Sequence, residues 1–254
     1  MIITTYKTDI GIKKSVNQDS LIIKKAATDI DDIVLIAVCD GMGGLSDGEL
    51  ASAEAVKMLN DWFMYELPDL MREGLSDYSF KESISARIAD VNRKIEQYGE
   101  QNNIECGTTI SAVLIYNDHY ATVNVGDSRI YKLTPNSIEQ LTHDQSVVQE
   151  LLDKGEITAE EAETHPQRST LLQCVGFGGE ITPDFTFGSY NMGDVFLACS
   201  DGFRHKMTAK EMHKLFNPVE MTDKADMTDR ANFGIHLNKE RLEKDNITVV
   251  LCRT

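Results

Sequence analysis

IVLIAVCDGMGG, residues 33–44, joins an uninterrupted apolar run to an aspartate and a cluster of glycines. A run of this length, rich in β-branched side chains, is typical of a strand that is covered on both faces. Asp40 is therefore predicted at the end of a doubly buried strand, and the glycines after it let the backbone approach a ligand closely. Such a position suits a metal ion or a phosphate group, although a lone Asp-Gly pair more often begins a turn.

Three more aspartates occupy comparable positions at the ends of apolar runs. Asp127 and Asp201 follow such runs, and Asp245 precedes one. If these ends meet Asp40 at one edge of the fold, their like charges require cations for stability. Oxygen ligands favour hard ions, so the sequence predicts hard divalent cations at this edge.

Two long amphipathic helices are predicted after the glycine cluster. Apolar residues recur every three or four positions over 46–66 and again over 79–101, which is typical of helices that cover a core. Ser46-Asp47 is the predicted cap of the first helix, and Leu67-Pro68 is predicted to end it. Shorter helices are predicted over 146–154, 158–163 and 223–237.

Strand patterns fill most of the remaining chain. Antiparallel hairpins are predicted over 110–125 and 129–141, where apolar runs flank short polar turns. Meandering strands combined with long helix pairs indicate an α+β fold. No linker divides the sequence, so residues 1–254 are predicted to form a single domain.

The amino-acid composition limits which classes of molecule the protein can bind. The chain has 25 Lys and Arg against 41 Asp and Glu, a formal net charge of -16, which argues against nucleic acid or an anionic membrane as a partner. The five cysteines show no paired spacing, which indicates a reducing compartment. The sequence also shows neither the core of a signal peptide nor an apolar run of about 18 residues. We therefore expect a cytoplasmic protein.

Six short motifs occur in the order and rough spacing of the metal-dependent type 2C protein serine/threonine phosphatases, particularly the compact bacterial members. Each motif alone is weak, but the six together span essentially the whole chain and are specific. The resemblance implies a four-layer α-β-β-α sandwich, with two antiparallel sheets face to face, helices on both outer faces and a metal site at one edge between the sheets. The motifs are Asn17-Gln18-Asp19, Asp40-Gly41-Met42-Gly43-Gly44, Gly107-Thr108-Thr109, Gly126-Asp127-Ser128-Arg129, Ser200-Asp201-Gly202 and Asp245-Asn246-Ile247-Thr248.

The resemblance also implies the activity and the residues that carry it. Members hydrolyse phosphoserine and phosphothreonine in proteins with a hydroxide that two Mn²⁺ or Mg²⁺ ions share, and need no cysteine nucleophile. Asp40 resembles the carboxylate that bridges the ions, and the Gly41 carbonyl resembles a ligand to one of them. Asp201 and Asp245 resemble ligands to the other ion, and Asp19 belongs to the site through bound water.

Two of these assignments have simpler alternatives. Asp127, together with Asp201, resembles a third metal site of bacterial members, but Asp127 is also suited to fixing its turn or pairing with Arg129. Asp19 is also suited to capping a turn at the end of its loop.

Three residues depart from the commonest pattern of the family. Lys14 stands where an arginine usually grips the substrate phosphate, and an ammonium group lacks the planar fork of arginine, so looser phosphate binding is expected. Gln18 replaces a glutamate that binds metal in some members. Met42 replaces a histidine proposed as a general acid in animal members. Compact bacterial members carry the same methionine and commonly the same glutamine.

Residues 142–176 resemble the mobile flap beside the active site of bacterial members, where His165 and Arg168 are predicted to meet a phosphoprotein. A histidine beside a proline more often makes a local structural contact, and that alternative stays open. The resemblance further implies phosphoserine and phosphothreonine proteins as partners, a bacterial serine/threonine kinase that opposes the enzyme, and a monomer.

Two classes of function fit these observations. One is the enzyme, and the other is a catalytically silent module of the same fold that binds phosphoproteins or regulates them. Asp40, Asp201 and Asp245 favour the enzyme, because a silent module has no need of three convergent carboxylates that repel one another without metal.

Overall fold

The computed structural model describes residues 2–27, 32–43 and 47–254, so Gly44 and the predicted helix cap Ser46 lie outside the described residues. Within these ranges the chain forms eleven strands and eight helices. No helix among them is both long and apolar enough to cross a membrane. The strands are β1 (Ile3–Asp9), β2 (Asp19–Ala27), β3 (Asp32–Gly43), β4 (Cys106–Thr108), β5 (Ile110–Tyr116), β6 (His119–Val125), β7 (Arg129–Leu133), β8 (Ile138–Gln140), β9 (Asp184–Ser189), β10 (Val195–Cys199) and β11 (Ile247–Arg253). The helices are α1 (Asp47–Tyr65), α2 (Leu67–Glu73), α3 (Asp77–Asn102), α4 (Val147–Asp153), α5 (Ala159–Thr164), α6 (Asp201–Arg204), α7 (Ala209–Leu215) and α8 (Lys224–Glu240).

The strands form two antiparallel sheets. One has the order β1-β11-β10-β7-β8, and the other has the order β2-β3-β5-β6-β9, with β4 paired to β3. The hairpins β5-β6 and β7-β8 are those that the sequence predicts. The long helices α1 and α3 also confirm the helical periodicity.

The apolar run of β3 contributes to two cores at once. Val34 and Ile36 belong to the core between the sheets, which also contains Phe196 of the opposite sheet. Leu35 and Ala37 belong to the core beneath α1 and α3. Because successive side chains of a strand point to opposite faces, an uninterrupted apolar run is what this strand requires.

A third core lies on the outer face of the other sheet. Leu197 of β10 and Val249 of β11 pack there with Phe203 of α6 and Phe216 beside α7. Three apolar cores between four layers confirm the predicted α-β-β-α sandwich.

The predicted end of the central strand is wrong. β3 does not stop at Asp40 but continues to Gly43, because Gly41 and Met42 pair with Thr108 and Gly107 of β4. The pairing partner of β3 therefore changes from β5 to β4 at Asp40, within an unbroken strand.

The predicted end of the first long helix is confirmed, because α1 ends at Tyr65, just before Leu67-Pro68. These two residues also open α2, a helix that the sequence does not predict. Proline is tolerated in the first turn of a helix, where its missing N–H has no intrahelical partner to lose. The sequence analysis also missed β9 and the single-turn helix α6.

Candidate metal centre and active site

The two sheets each bring a pair of carboxylates to one edge of the sandwich. Asp19 of β2 lies directly opposite Asp40 in the register of β2 and β3. Asp201 begins α6 one residue after the end of β10, and Asp245 precedes the neighbouring strand β11. The Ser200 hydroxyl donates to Asp19 Oδ2 at 2.9 Å and so joins the two pairs.

Asp40 is held in place by its backbone. Its N–H donates to Thr109 Oγ1 at 2.9 Å, and its carbonyl accepts from the Thr109 N–H at 2.9 Å and from Thr108 Oγ1 at 3.1 Å. These contacts explain the Gly-Thr-Thr motif, which secures the strand on either side of the carboxylate. The Asp40 carboxylate itself makes no hydrogen bond or ion pair within the described residues, so it is available to a ligand.

Gly41 lies where only a glycine fits. A Cβ atom at this position would lie 2.1 Å from the Gly48 carbonyl oxygen and 2.5 Å from the Gln18 carbonyl oxygen. The Gly41 N–H also donates to that Gln18 oxygen at 3.1 Å. The close approach packs the start of α1 against the strand that carries Asp40.

The environment of these carboxylates disfavours their charged form. Burial, the largest effect, raises the pKa of Asp19 to about 7, and the charges of Asp201 and Asp245 add to it against opposing hydrogen bonds. Burial and the neighbouring aspartates raise the pKa of Asp40 well above its ordinary value. Burial and Asp201 raise the pKa of Asp127 to about 6, although Arg204 opposes the shift.

The donor set fits hard divalent ions. Asp19 Oδ1 and Asp201 Oδ1 are buried without a hydrogen-bond partner, and buried polar atoms normally have one. A divalent cation satisfies such oxygens and offsets the like charges. The described residues contain no group of three or more His, Cys, Asp or Glu side chains already arranged around one point. The fit therefore depends on these two oxygens and on the all-oxygen chemistry.

Asp245 is tied to the loop that carries Lys14. Lys14 Nζ lies 2.7 Å from Asp245 Oδ1. Burial lowers the pKa of Lys14, but the hydrogen bond to Asp245 and the nearby carboxylates outweigh it, so the pKa is raised. Asn246 Oδ1 accepts from the Gln18 N–H at 2.9 Å, and Asn246 Nδ2 donates to two carbonyls of the same loop, which clamps the loop beside the site.

Asp127 lies beside the other aspartates but has an arginine as its partner. Arg204 Nη2 lies 3.1 Å from Asp127 Oδ2 and 3.0 Å from the Asp127 carbonyl oxygen. Arg129 instead forms a two-pronged ion pair with Asp144, at 2.8 and 2.7 Å. The alternative that Asp127 pairs with Arg129 is therefore wrong, because Arg129 pairs with Asp144 and Arg204 pairs with Asp127.

Sequence reasoning missed Arg204 and His205. His205 Nε2 lies 3.4 Å from Asp201 Oδ2, and His205 Nδ1 lies 3.7 Å from Glu243 Oε2. The other oxygen of Glu243 accepts from the Asp245 N–H at 3.0 Å. The two missed residues lie three and four positions after Asp201, which is the spacing of neighbours on a helix face. That spacing is the signal that could have found them.

The flap residues are not brought into the carboxylate cluster. His165 is the C-terminal cap that follows α5, and its Nδ1 accepts from the Gln167 N–H at 3.2 Å, which supports the local structural alternative. Arg168 is exposed and forms no ion pair within the described part of the chain. Segment 142–176 is anchored at its start by Asp144, which pairs with both arginines described above.

A two-sheet sandwich with carboxylates from both sheets at one edge defines the class of metal-dependent protein phosphatases. The sequence model of the family described as Protein phosphatase 2C matches residues 12–232. The chain belongs to this family.

Similar proteins carry the same activity in their names. Serine/threonine phosphatase stp of Listeria welshimeri is 32% identical over 250 residues, which cover 97% of this chain and 93% of the relative. The structure of the Streptococcus agalactiae serine/threonine phosphatase is similar with a TM-score of 0.86 and 29% identity over 100% of both chains. The catalytic domain of the phosphatase PstP in complex with 2 manganese ions is similar with a TM-score of 0.78 and 27% identity, over 99% of this chain and 97% of that one.

The protein is therefore a metal-dependent serine/threonine protein phosphatase that acts on phosphoproteins. The predicted family, fold and enzyme activity are confirmed. The alternative of a catalytically silent module is not supported.

Proposed function

We propose that this phosphatase holds two divalent ions, Mn²⁺ or Mg²⁺, with side chains from both sheets. Asp40 would contact both ions, the Gly41 carbonyl would contact one, and Asp201 and Asp245 would contact the other. Asp19 would act through bound water. The observation that carries this proposal is the pair of buried, unpartnered oxygens, Asp19 Oδ1 and Asp201 Oδ1, next to the unpaired Asp40 carboxylate. When bound, such ions neutralise the phosphate dianion and make a water molecule more acidic.

Contacts within the protein position the carboxylates of the site and the group that would bind the substrate phosphate. The backbone contacts of Asp40 hold its main chain at the edge of the sheet, and the Ser200 hydroxyl binds the Asp19 carboxylate. Lys14 is the proposed phosphate-binding group, since its side chain is 41% exposed beside Asp245. A substrate phosphate can accept from the same ammonium group, which has three donors.

The assignment of the metal site also leads to a proposal for the substrate, the opposing kinase and the cellular location. We propose that exposed Arg168, and His165 next to it, meet the phosphoprotein along segment 142–176. The substrates are phosphoserine and phosphothreonine proteins that a bacterial serine/threonine kinase modifies, and the phosphatase acts as a monomer. A cytoplasmic location stays a prediction, supported by five free thiols.

The two-ion proposal is tested by Asp40→Asn, which keeps the size of the side chain and removes its charge. We expect turnover of a phosphothreonine peptide to fall more than about 100-fold, because altering even the supporting groups of a metal site costs 10- to 100-fold. Mn²⁺ binding measured by calorimetry should weaken in parallel.

Asp194→Asn is the matched control. Asp194 is also buried, but it lies at the opposite end of β10 from Asp201 and accepts from the Asn191 N–H at 3.0 Å. It should leave Mn²⁺ affinity unchanged. An Asp40→Asn protein with the Mn²⁺ affinity and turnover of the parent would overturn the assignment.

A further inference from the structure

Arg204 places a fixed positive charge against Asp127. Its Nη2 lies within hydrogen-bond distance of the side chain and the carbonyl of Asp127, and 3.3 Å from Asp144 Oδ2. The Arg204 side chain is 13% exposed and that of Asp127 is 8% exposed, so little water separates them. An ion pair in such surroundings is only weakly screened.

The two oxygens of Asp201 face different surroundings. Oδ2 lies 3.4 Å from the His205 imidazole, and Oδ1 is the buried oxygen without a partner. Only Oδ1 is therefore open to an ion without displacing a neighbour. Since Asp201 Oδ1 is assigned to the two-ion site, an ion shared with Asp127 would have to use Asp201 Oδ2, which faces His205. Asp127 Oδ2 already faces Arg204, so only Asp127 Oδ1 would be left to that ion, beside the same guanidinium charge.

The carboxylates on the two sides of Asp201 also differ in whether a positive charge compensates them. Asp127 and Asp144 are matched by the guanidinium groups of Arg204 and Arg129. By contrast, no ion pair within the described ranges involves Asp19 or Asp40, and Lys14 pairs only with Asp245. Cations are stabilised where carboxylates lack compensation and are repelled where an arginine is already in place.

We propose that the Arg204 guanidinium occupies the place of a third divalent ion beside Asp127, so that the chain binds two ions and not three. The inference rests on the proposed two-ion site, since a third ion would share Asp201 with it. Asp127 is then a structural partner of Arg204, and the arginine supplies at this position a charge that does not depend on metal concentration.

The test is the number of Mn²⁺ ions bound per chain, measured by equilibrium dialysis and metal analysis up to millimolar Mn²⁺. We expect two ions in the unsubstituted chain and two in Asp127→Asn. Arg204→Gln should bind one additional ion, and adding Asp127→Asn to it should remove that ion again.

Arg129→Gln is the matched control. It removes a neighbouring arginine that pairs with Asp144 and Tyr131 but not with Asp127, so its ion count should stay at two. Circular dichroism and thermal melts establish that each variant is folded. If Arg204→Gln does not fold, the comparison of the unsubstituted chain with Asp127→Asn still decides the question.

Three bound ions in the unsubstituted chain, one of them lost in Asp127→Asn, would refute this inference and leave the two-ion proposal intact. A folded Arg204→Gln protein that still binds two ions would refute it as well, because Arg204 would then not be what excludes the third. An unsubstituted chain that binds no Mn²⁺ would refute the two-ion proposal, and this inference with it.

Discussion

Replacement of Asp19 by asparagine is expected to stabilise the protein at alkaline pH when metal is removed by a chelator. The pKa of Asp19 is about 7 in the folded chain and 3.8 as its ordinary value. Between these values the folded chain holds a proton that the unfolded chain has lost, so the stability of the metal-free protein falls as pH rises through this window. The full effect is roughly 4 kcal/mol of unfolding free energy above pH 7.

Urea unfolding in chelator at pH 5 and pH 8 measures this contribution. Part of it is already present at pH 5, so we expect the parent to lose about 2–3 kcal/mol more than Asp19→Asn between the two pH values. Asp127 contributes alike in both proteins, whereas loss of the Asp19 charge also lowers the pKa of Asp40, which adds to the difference in the same direction. Asp194→Asn, a buried control outside the site, should keep the pH dependence of the parent.

Saturating Mn²⁺ should reverse the order at pH 8, because a ligand that binds the folded state stabilises the protein that binds it more tightly. An equal dependence on pH for parent and Asp19→Asn in chelator would show that the Asp19 carboxyl carries no penalty in the folded chain. The interpretation that burial and the neighbouring aspartates disfavour the charged form of these carboxylates would then be wrong.

Two further predictions concern the loop beside Asp245 and the glycine of the central strand. Lys14→Ala should raise KM for a phosphopeptide more than it lowers kcat, and Lys14→Arg should be tolerated or bind more tightly; unchanged kinetics in Lys14→Ala would leave the residue only as a partner of Asp245. Gly41→Ala should cost at least about 3 kcal/mol in urea unfolding, because its Cβ would lie 2.1 Å from a backbone oxygen. Gly74→Ala meets nothing within 4 Å and should cost only about 1–2 kcal/mol for its positive φ, and a similar loss in both variants would contradict the steric argument.

The layers of this fold could be predicted because each leaves a local pattern of apolar residues in the sequence. The unbroken apolar run of β3 requires a strand with two covered faces, and the three- and four-residue spacing of α1 and α3 requires helices above it. The strand β9 also leaves a local signal, since Phe185 and Phe187 alternate with polar residues at strand period, but the segment is short and was missed.

The partners within the site could be predicted only in part. Asp201 and Asp245 flank strands, so their place at an edge follows from local sequence. That Asp19 lies opposite Asp40 depends on the register of β2 with β3, which long-range pairing sets. Arg204 reaches Asp127 across 77 residues of sequence, and no local pattern predicts which acidic group an arginine will meet at that distance.

The packing of the two sheets and the binding of metal are therefore coupled. Asp19 and Asp40 belong to one sheet, and Asp201 and Asp245 adjoin strands of the other, so the site exists only while the apolar core between the sheets holds them together. That core must offset the repulsion of four carboxylates when cations are absent. Divalent ions remove the repulsion and add their own binding free energy, so ions that complete the active site also stabilise the contact between the sheets. Asp127 adds to this demand as well, but Arg204 opposes the effect of burial and of Asp201 on its charge.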